Sequence, residues 1–189
     1  MEYARITTTS DPLFAGMHRL MGDIFPSEEV LAFELWEEPL RDEGIHVYAA
    51  VHEGEVVGAT EYRYFADMRV AVTDFTLIGR PGLGIGRFLA TNRKADLDRM
   101  AAETRTSPLG MFAEIYDPYK VDYPFGGVSP MNPYVRREVL SHMGYRRLDI
   151  DYVHPSWDHE GKAVTGLDLC FLPADERTSE LPEIGRAHV

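Results

Sequence analysis

The sequence predicts an α/β (α+β) domain, and three observations carry that prediction. Stretches with apolar residues at helical spacing are interleaved with short strand-like runs. Two of the runs flank a Glu53-Gly54 turn, which reads as a β-hairpin. Another run enters a glycine-rich loop and leaves it as a helix. A length of 189 residues suits one ordinary domain, since most fall between about 50 and 250 residues. The 44% hydrophobic content is enough for a core and makes a disordered or fibrous chain a poor reading.

The elements follow in chain order. Asp11 caps a first helix with Pro12 at its first position, and Leu13, Phe14, Met17, Leu20, Met21 and Ile24 form its apolar face. A second helix is expected from Ser27 to Gly44, with Val30, Leu31, Phe33, Leu35, Trp36 and Leu40 as the apolar set and Glu28 and Glu29 in its first turn. The hairpin comprises Ile45 to Val51 and Val56 to Phe65, and a third strand spans Val70 to Ile78. After the glycine loop, Phe88, Leu89, Leu97, Met100 and Ala101 mark a further helix. Leu109 to Tyr116 is a strand with Phe112, Glu114 and Tyr116 on one face. An irregular stretch to Met131 precedes a helix opened by Asn132 and Pro133 and capped by Gly144. The final strands are Tyr145 to Val153 and Thr165 to Phe171, separated by His154-Pro155-Ser156-Trp157, and residues 174–189 form a loosely ordered tail.

Charge narrows the function classes. The net charge of -12 argues against nucleic acid as a partner, because phosphates require the opposite field. An anionic ligand therefore needs a local basic pocket, and cationic partners are attracted. The lone Cys170 forms no internal disulfide or cysteine metal cluster, and no metal is expected. No apolar run approaches the roughly 20 residues that span a bilayer, and residues 1–20 lack a signal-peptide layout. A cytoplasmic protein with no membrane partner is the resulting expectation.

The most informative segment is Gly79-Arg80-Pro81-Gly82-Leu83-Gly84-Ile85-Gly86. Counted from Gly82 and Gly84, a dinucleotide fingerprint needs its third glycine at position 87, which is Arg87. A P-loop needs Gly-Lys and then Ser or Thr, which is absent. What remains is a strand, a glycine turn and a helix start whose bare N–H groups suit a pyrophosphate. Arg80, Arg87, Arg93, Lys94 and Arg99 supply a local basic excess over Asp96 and Asp98.

This loop resembles the coenzyme A loop of the Gcn5-related N-acetyltransferase (GNAT) superfamily, with Gly84 and Gly86 in its glycine positions. Met143-Gly144-Tyr145 resembles a second marker of that superfamily, and the element order over residues 1–173 follows it too. The resemblance implies one domain over 1–173, a central mixed, mostly antiparallel sheet flanked by about four helices, and acetyl-CoA or another acyl-CoA as cofactor. It also implies acyl transfer by direct attack of the amine of a small metabolite, and admits a homodimer. The cofactor contacts it implies run through Ile78, Gly79, Arg80, Gly82, Leu83, Gly84, Ile85, Gly86, Arg87 and Phe88. Two positions depart from it. The usual Gln or Arg of the loop is Pro81, and the frequent general-acid tyrosine is Leu140, so no acid is assigned.

An alkyl amine must lose a proton before or during attack, which calls for a carboxylate or ordered water. Glu114 is the first candidate base and Glu61 the second, and each has a structural alternative as a partner of an arginine. Backbone N–H groups around Ile78 and Gly79 are the candidate oxyanion donors. Tyr116, Tyr119 and Tyr134, with Tyr123 and Phe125, form either an acceptor pocket or core. His142 and His154 read as surface histidines. The acids from Glu28 to Glu43 are either a solvated face or a field steering a cationic amine. Rival readings are a non-catalytic CoA-binding or sensory module, and another acyl group or an oxygen acceptor on the same scaffold.

Overall fold

A computed structural model describes residues 1–154 and 163–175. Pro155, Ser156 and Trp157 of the last expected turn, and the tail beyond Asp175, lie outside the described residues. One seven-stranded sheet runs β1 (Glu2–Ile6), β2 (Ile45–His52), β3 (Glu55–Phe65), β4 (Val70–Ile78), β5 (Gly110–Tyr116), β7 (Leu167–Pro173), β6 (Arg146–Arg147) in that spatial order. Every neighbouring pair is antiparallel except β4 and β5, so the sheet is mixed and mostly antiparallel. Four α-helices flank it: α1 (Pro12–Ile24), α2 (Glu37–Arg41), α3 (Ile85–Glu103) and α4 (Pro133–His142).

The core lies on both faces of the sheet. Phe14, Met17, Met21 and Ile24 of α1 pack with Trp36 against Val47, Ala49, Phe75 and Leu77. On α3, Ile85 and Leu89 cover Ala50 and Val57, while Leu97 packs on Tyr62, Ala71 and Met111. Asp11 accepts a hydrogen bond from the Leu13 N–H and Asn132 from those of Tyr134 and Val135, so both expected caps form. No helix among the described residues is long and apolar enough to cross a membrane.

Three expectations need correction. The segment expected as one helix from Ser27 to Gly44 is two 3₁₀ turns, Ser27–Glu29 and Phe33–Trp36, followed by the short α2. Pro39 accounts for this, because proline has no N–H and is tolerated only in a helix's first turn, which forces the helix to begin near Glu37. The expected strand from Tyr145 to Val153 shrinks to Arg146–Arg147. Ile150 and Val153 have no core to face and stay 51% and 53% exposed. The edge strand β1 is additional; of its five residues only Ile6 is buried, too little apolar pattern to announce it.

Candidate active site

β4 and β5 pair only from Val70 to Thr73 against Gly110 to Ala113, and beyond these residues the two strands part. The split opens a cavity of about 560 Å³ whose walls come from β4, β5 and α4 and from the start of α3. Gly84 and Gly86 stand on this wall, as do Ile78 and Arg87. The Gly79 N–H donates to the Val57 carbonyl at 2.9 Å, so it belongs to the sheet and drops out as an oxyanion donor. Strand alternation turns the Ile78 N–H the opposite way, into the split.

The glycine loop fits a pyrophosphate. Gly82 and Gly84 take φ of 83° and 67°, a region that side chains disfavour, and a Cβ at either would meet no protein atom within 4 Å. The first intrahelical bond of α3 joins the Phe88 N–H to the Gly84 carbonyl at 3.0 Å. The N–H groups of Ile85, Gly86 and Arg87 precede that bond and point out of the helix start, where the helix dipole favours an anion.

On the other side of the split a smaller pocket, about 60 Å³, is lined by Met21, Phe25 and Glu29 together with Tyr116, His154 and Leu167. Asp74, Phe75, Glu114 and Arg136 line both spaces. Glu114 accepts hydrogen bonds from the Tyr152 hydroxyl and from His154 Nδ1, the latter at 2.9 Å. His154 is therefore part of the site rather than a surface histidine, carried there by the chain that leaves β6. The Tyr116 hydroxyl donates to Glu29. Burial raises the Glu61 carboxyl well above its ordinary range, with the neighbouring Asp74 charge adding to the effect. Asp74 is raised for the same first reason and then by Glu114. Glu61 and Asp74 are close enough that each carboxyl changes the other's titration, Asp74 raising that of Glu61.

Two arginines complete the large cavity. Arg93, only 4% exposed, donates from Nη1 to the hydroxyls of Thr60, Thr73 and Thr76 at 2.9, 3.0 and 2.8 Å. Arg136 donates from Nη1 to the Thr76 carbonyl at 3.0 Å. Burial pulls the Arg136 guanidinium down to about 10, and it remains charged at neutral pH.

The expected site residues divide into two sets. Ile78, Gly84, Gly86, Arg87 and Glu114 line the large cavity, and Tyr116 lines the small one. Glu61 lies behind Asp74. Arg80 pairs with Glu55 at 2.8 Å on the surface. Leu83 and Phe88 pack against Ala50, Val57, Ile85 and Leu89. Tyr119 and Tyr134, 85% and 56% exposed, rest against each other and line neither cavity. Burial pushes the Cys170 thiol up to about 11, which makes it a poor nucleophile at neutral pH. Sequence reasoning missed Asp74, Arg136 and Tyr152. For Arg93 it saw the charge but not the place, although Leu89, Arg93, Leu97 and Ala101 share one helical face.

Comparison with solved structures decides the architecture. A Bacteroides thetaiotaomicron protein assigned to the GNAT family of acetyltransferases matches 92% of this chain and 87% of its own, with a TM-score of 0.61 at 15% identity. An acetyltransferase from Thermus thermophilus matches 91% and 96%, with a TM-score of 0.58 at 17% identity. A ribosomal-protein alanine N-acetyltransferase from Escherichia coli matches 100% and 99%, with a TM-score of 0.59 at 10% identity. The fold is that of the GNAT superfamily. No family model and no curated protein matches the sequence. Within the GNAT fold the parted β4 and β5 and the glycine loop before α3 form one continuous feature, and Leu140 lines it where the resemblance puts an acid tyrosine.

Proposed function

We propose that the protein is a CoA-dependent acyltransferase that moves an acetyl or other short acyl group onto the amine of a small metabolite by direct attack. The observation that carries this reading is the shared wall: Asp74, Phe75, Glu114 and Arg136 face both the glycine-loop cavity and the acidic pocket. A donor entering from one side and an acceptor from the other therefore meet at the same carboxylates. Acyl-CoA supplies the electrophilic thioester. The N–H groups of Ile85, Gly86 and Arg87 hold its pyrophosphate, and the Ile78 N–H is the backbone donor for a carbonyl oxygen in the split.

Glu114 takes the amine proton, and Tyr152 and His154 fix its orientation. Glu29, Asp74 and Glu114 give the small pocket a negative lining suited to a cationic amine. A second reading, a non-catalytic CoA-binding or sensory module, draws on the apolar Leu140 in the cavity wall. Thiol release from acetyl-CoA over a panel of amines, with product masses recorded, tests both. Release with an acylated amine product supports the transferase. Tight CoA binding without turnover on any amine supports the module, and no CoA binding overturns both.

A further inference from the structure

The donor cavity is lined by two arginines that make no ion pair among the described residues, although Asp74 and Glu114 share its lining. Arg41, Arg63, Arg80, Arg99, Arg137 and Arg147 all pair with carboxylates, whereas Arg93 and Arg136 make no ion pair among the described residues. Each uses Nη1 on neutral oxygens or sulfur and leaves Nε and Nη2 without an acceptor among those residues. Both line the 560 Å³ cavity, meet around Thr76, and lie close enough to disfavour each other's charge. In a chain of net charge -12, two guanidiniums that face one cavity without an ion pair and with free donors mark a place for an anion.

We propose that the cavity takes an acyl-CoA whose acyl chain ends in a carboxylate, with Arg93 and Arg136 as the partners of that carboxylate. The inference rests on the CoA-donor reading above. The pyrophosphate is not the anion in question, because its cradle is the helix start. Arg93 is seven residues beyond Gly86, about 10 Å further along α3. Two planar forks also suit carboxylate oxygens. In the transfer the N–C bond forms and the C–S bond breaks. The amine proton passes to Glu114, the thiol leaves with a proton from solvent, and the carboxylate is carried unchanged onto the product amide.

Calorimetry without acceptor tests this on matched esters of equal carbon number: malonyl- against propionyl-CoA, succinyl- against butyryl-CoA, glutaryl- against valeryl-CoA. In at least one pair the charged ester binds at least about tenfold more tightly, the size expected for charge-assisted hydrogen bonds. Arg136→Met brings that ratio close to one, Arg136→Lys keeps part of it, and Arg93→Met lowers it. Should Arg93→Met fail to fold, the wild-type pairs and Arg136→Met still decide. Uncharged esters that bind as tightly as charged ones in every pair overturn the inference and leave the donor reading standing. Full preference retained in Arg136→Met overturns it as well. Absence of binding by any ester overturns both.

Discussion

The two spaces on either side of the split carry opposite charge. Arg87 and Arg93 line only the larger and Glu29 only the smaller, so with the shared Asp74, Glu114 and Arg136 the larger is on balance positive and the smaller negative. They meet along a wall where Arg136 stands in the same lining as Asp74 and Glu114. Such a division sorts two ligands by charge before any chemistry: an anionic donor has a basic half, and a cationic amine has an acidic one. It also explains how a chain of net charge -12 retains an anion site, since three arginines gather along one cavity.

The most damaging way to break the division is at the donor end. Gly84→Val places a β-branched side chain at φ 67°, and its Cβ meets no protein atom within 4 Å. The protein therefore folds with some local strain while the anion cradle is altered. CoA affinity by calorimetry falls at least about a hundredfold, against 1–2 kcal/mol of strain expected for the residue itself. Undiminished affinity places the pyrophosphate elsewhere. Next comes the shared wall. Glu114→Gln lowers kcat by about 10²-fold or more, the scale of a lost general base, and most strongly at low pH, where fewer amines arrive unprotonated. An unchanged pH–rate profile moves the role to Asp74.

How much of this was legible depended on range. The glycine loop was readable because its geometry is local: one turn, one helix start and the φ values that only glycine takes readily. Helices α1, α3 and α4 and the central strands were readable for the same reason, each carrying its own cap or period. The acidic side was hidden because it is assembled across the chain. Glu29 meets Tyr116, and Glu114 meets Tyr152 and His154, at separations of 87, 38 and 40 residues, and no spacing announces such pairs. Asp74 was hidden differently. It sits in a strand whose alternation gives it an outward direction, and only the parting of β5 turns that direction into a cavity wall.

A smaller effect follows from the Glu61–Asp74 pair. Both carboxyls are raised in the folded protein, Glu61 to about 8, so the folded state holds more protons than the unfolded one between roughly pH 4 and pH 8. Stability from this pair is therefore fully present below the unfolded values and is lost as pH rises through the folded ones. Wild-type Tm declines across that window, and Glu61→Gln flattens the decline. An equal slope in the variant assigns the pH dependence to other groups.

The smallest expected effect tests whether the acidic half acts by contact or by field. Glu29 belongs to the segment rich in acids from Glu28 to Glu43, and among the described side chains of that segment it alone lines the small pocket. Charges separated by more than a screening length, about 8 Å at physiological salt, contribute little in solution. The remaining acids of the segment therefore act mainly as a solvated face, and Glu29 provides the local charge. Glu29→Gln raises the KM of a cationic acceptor a few-fold and weakens its dependence on salt, while paired changes at Glu34 and Glu38 do neither. Tyr119→Ala serves as the reference, since that ring lies outside both cavities and its loss leaves the acceptor KM where it was. A KM that responds to Glu34 and Glu38 as strongly as to Glu29 makes the field of the whole segment, rather than the pocket, the element that selects the amine.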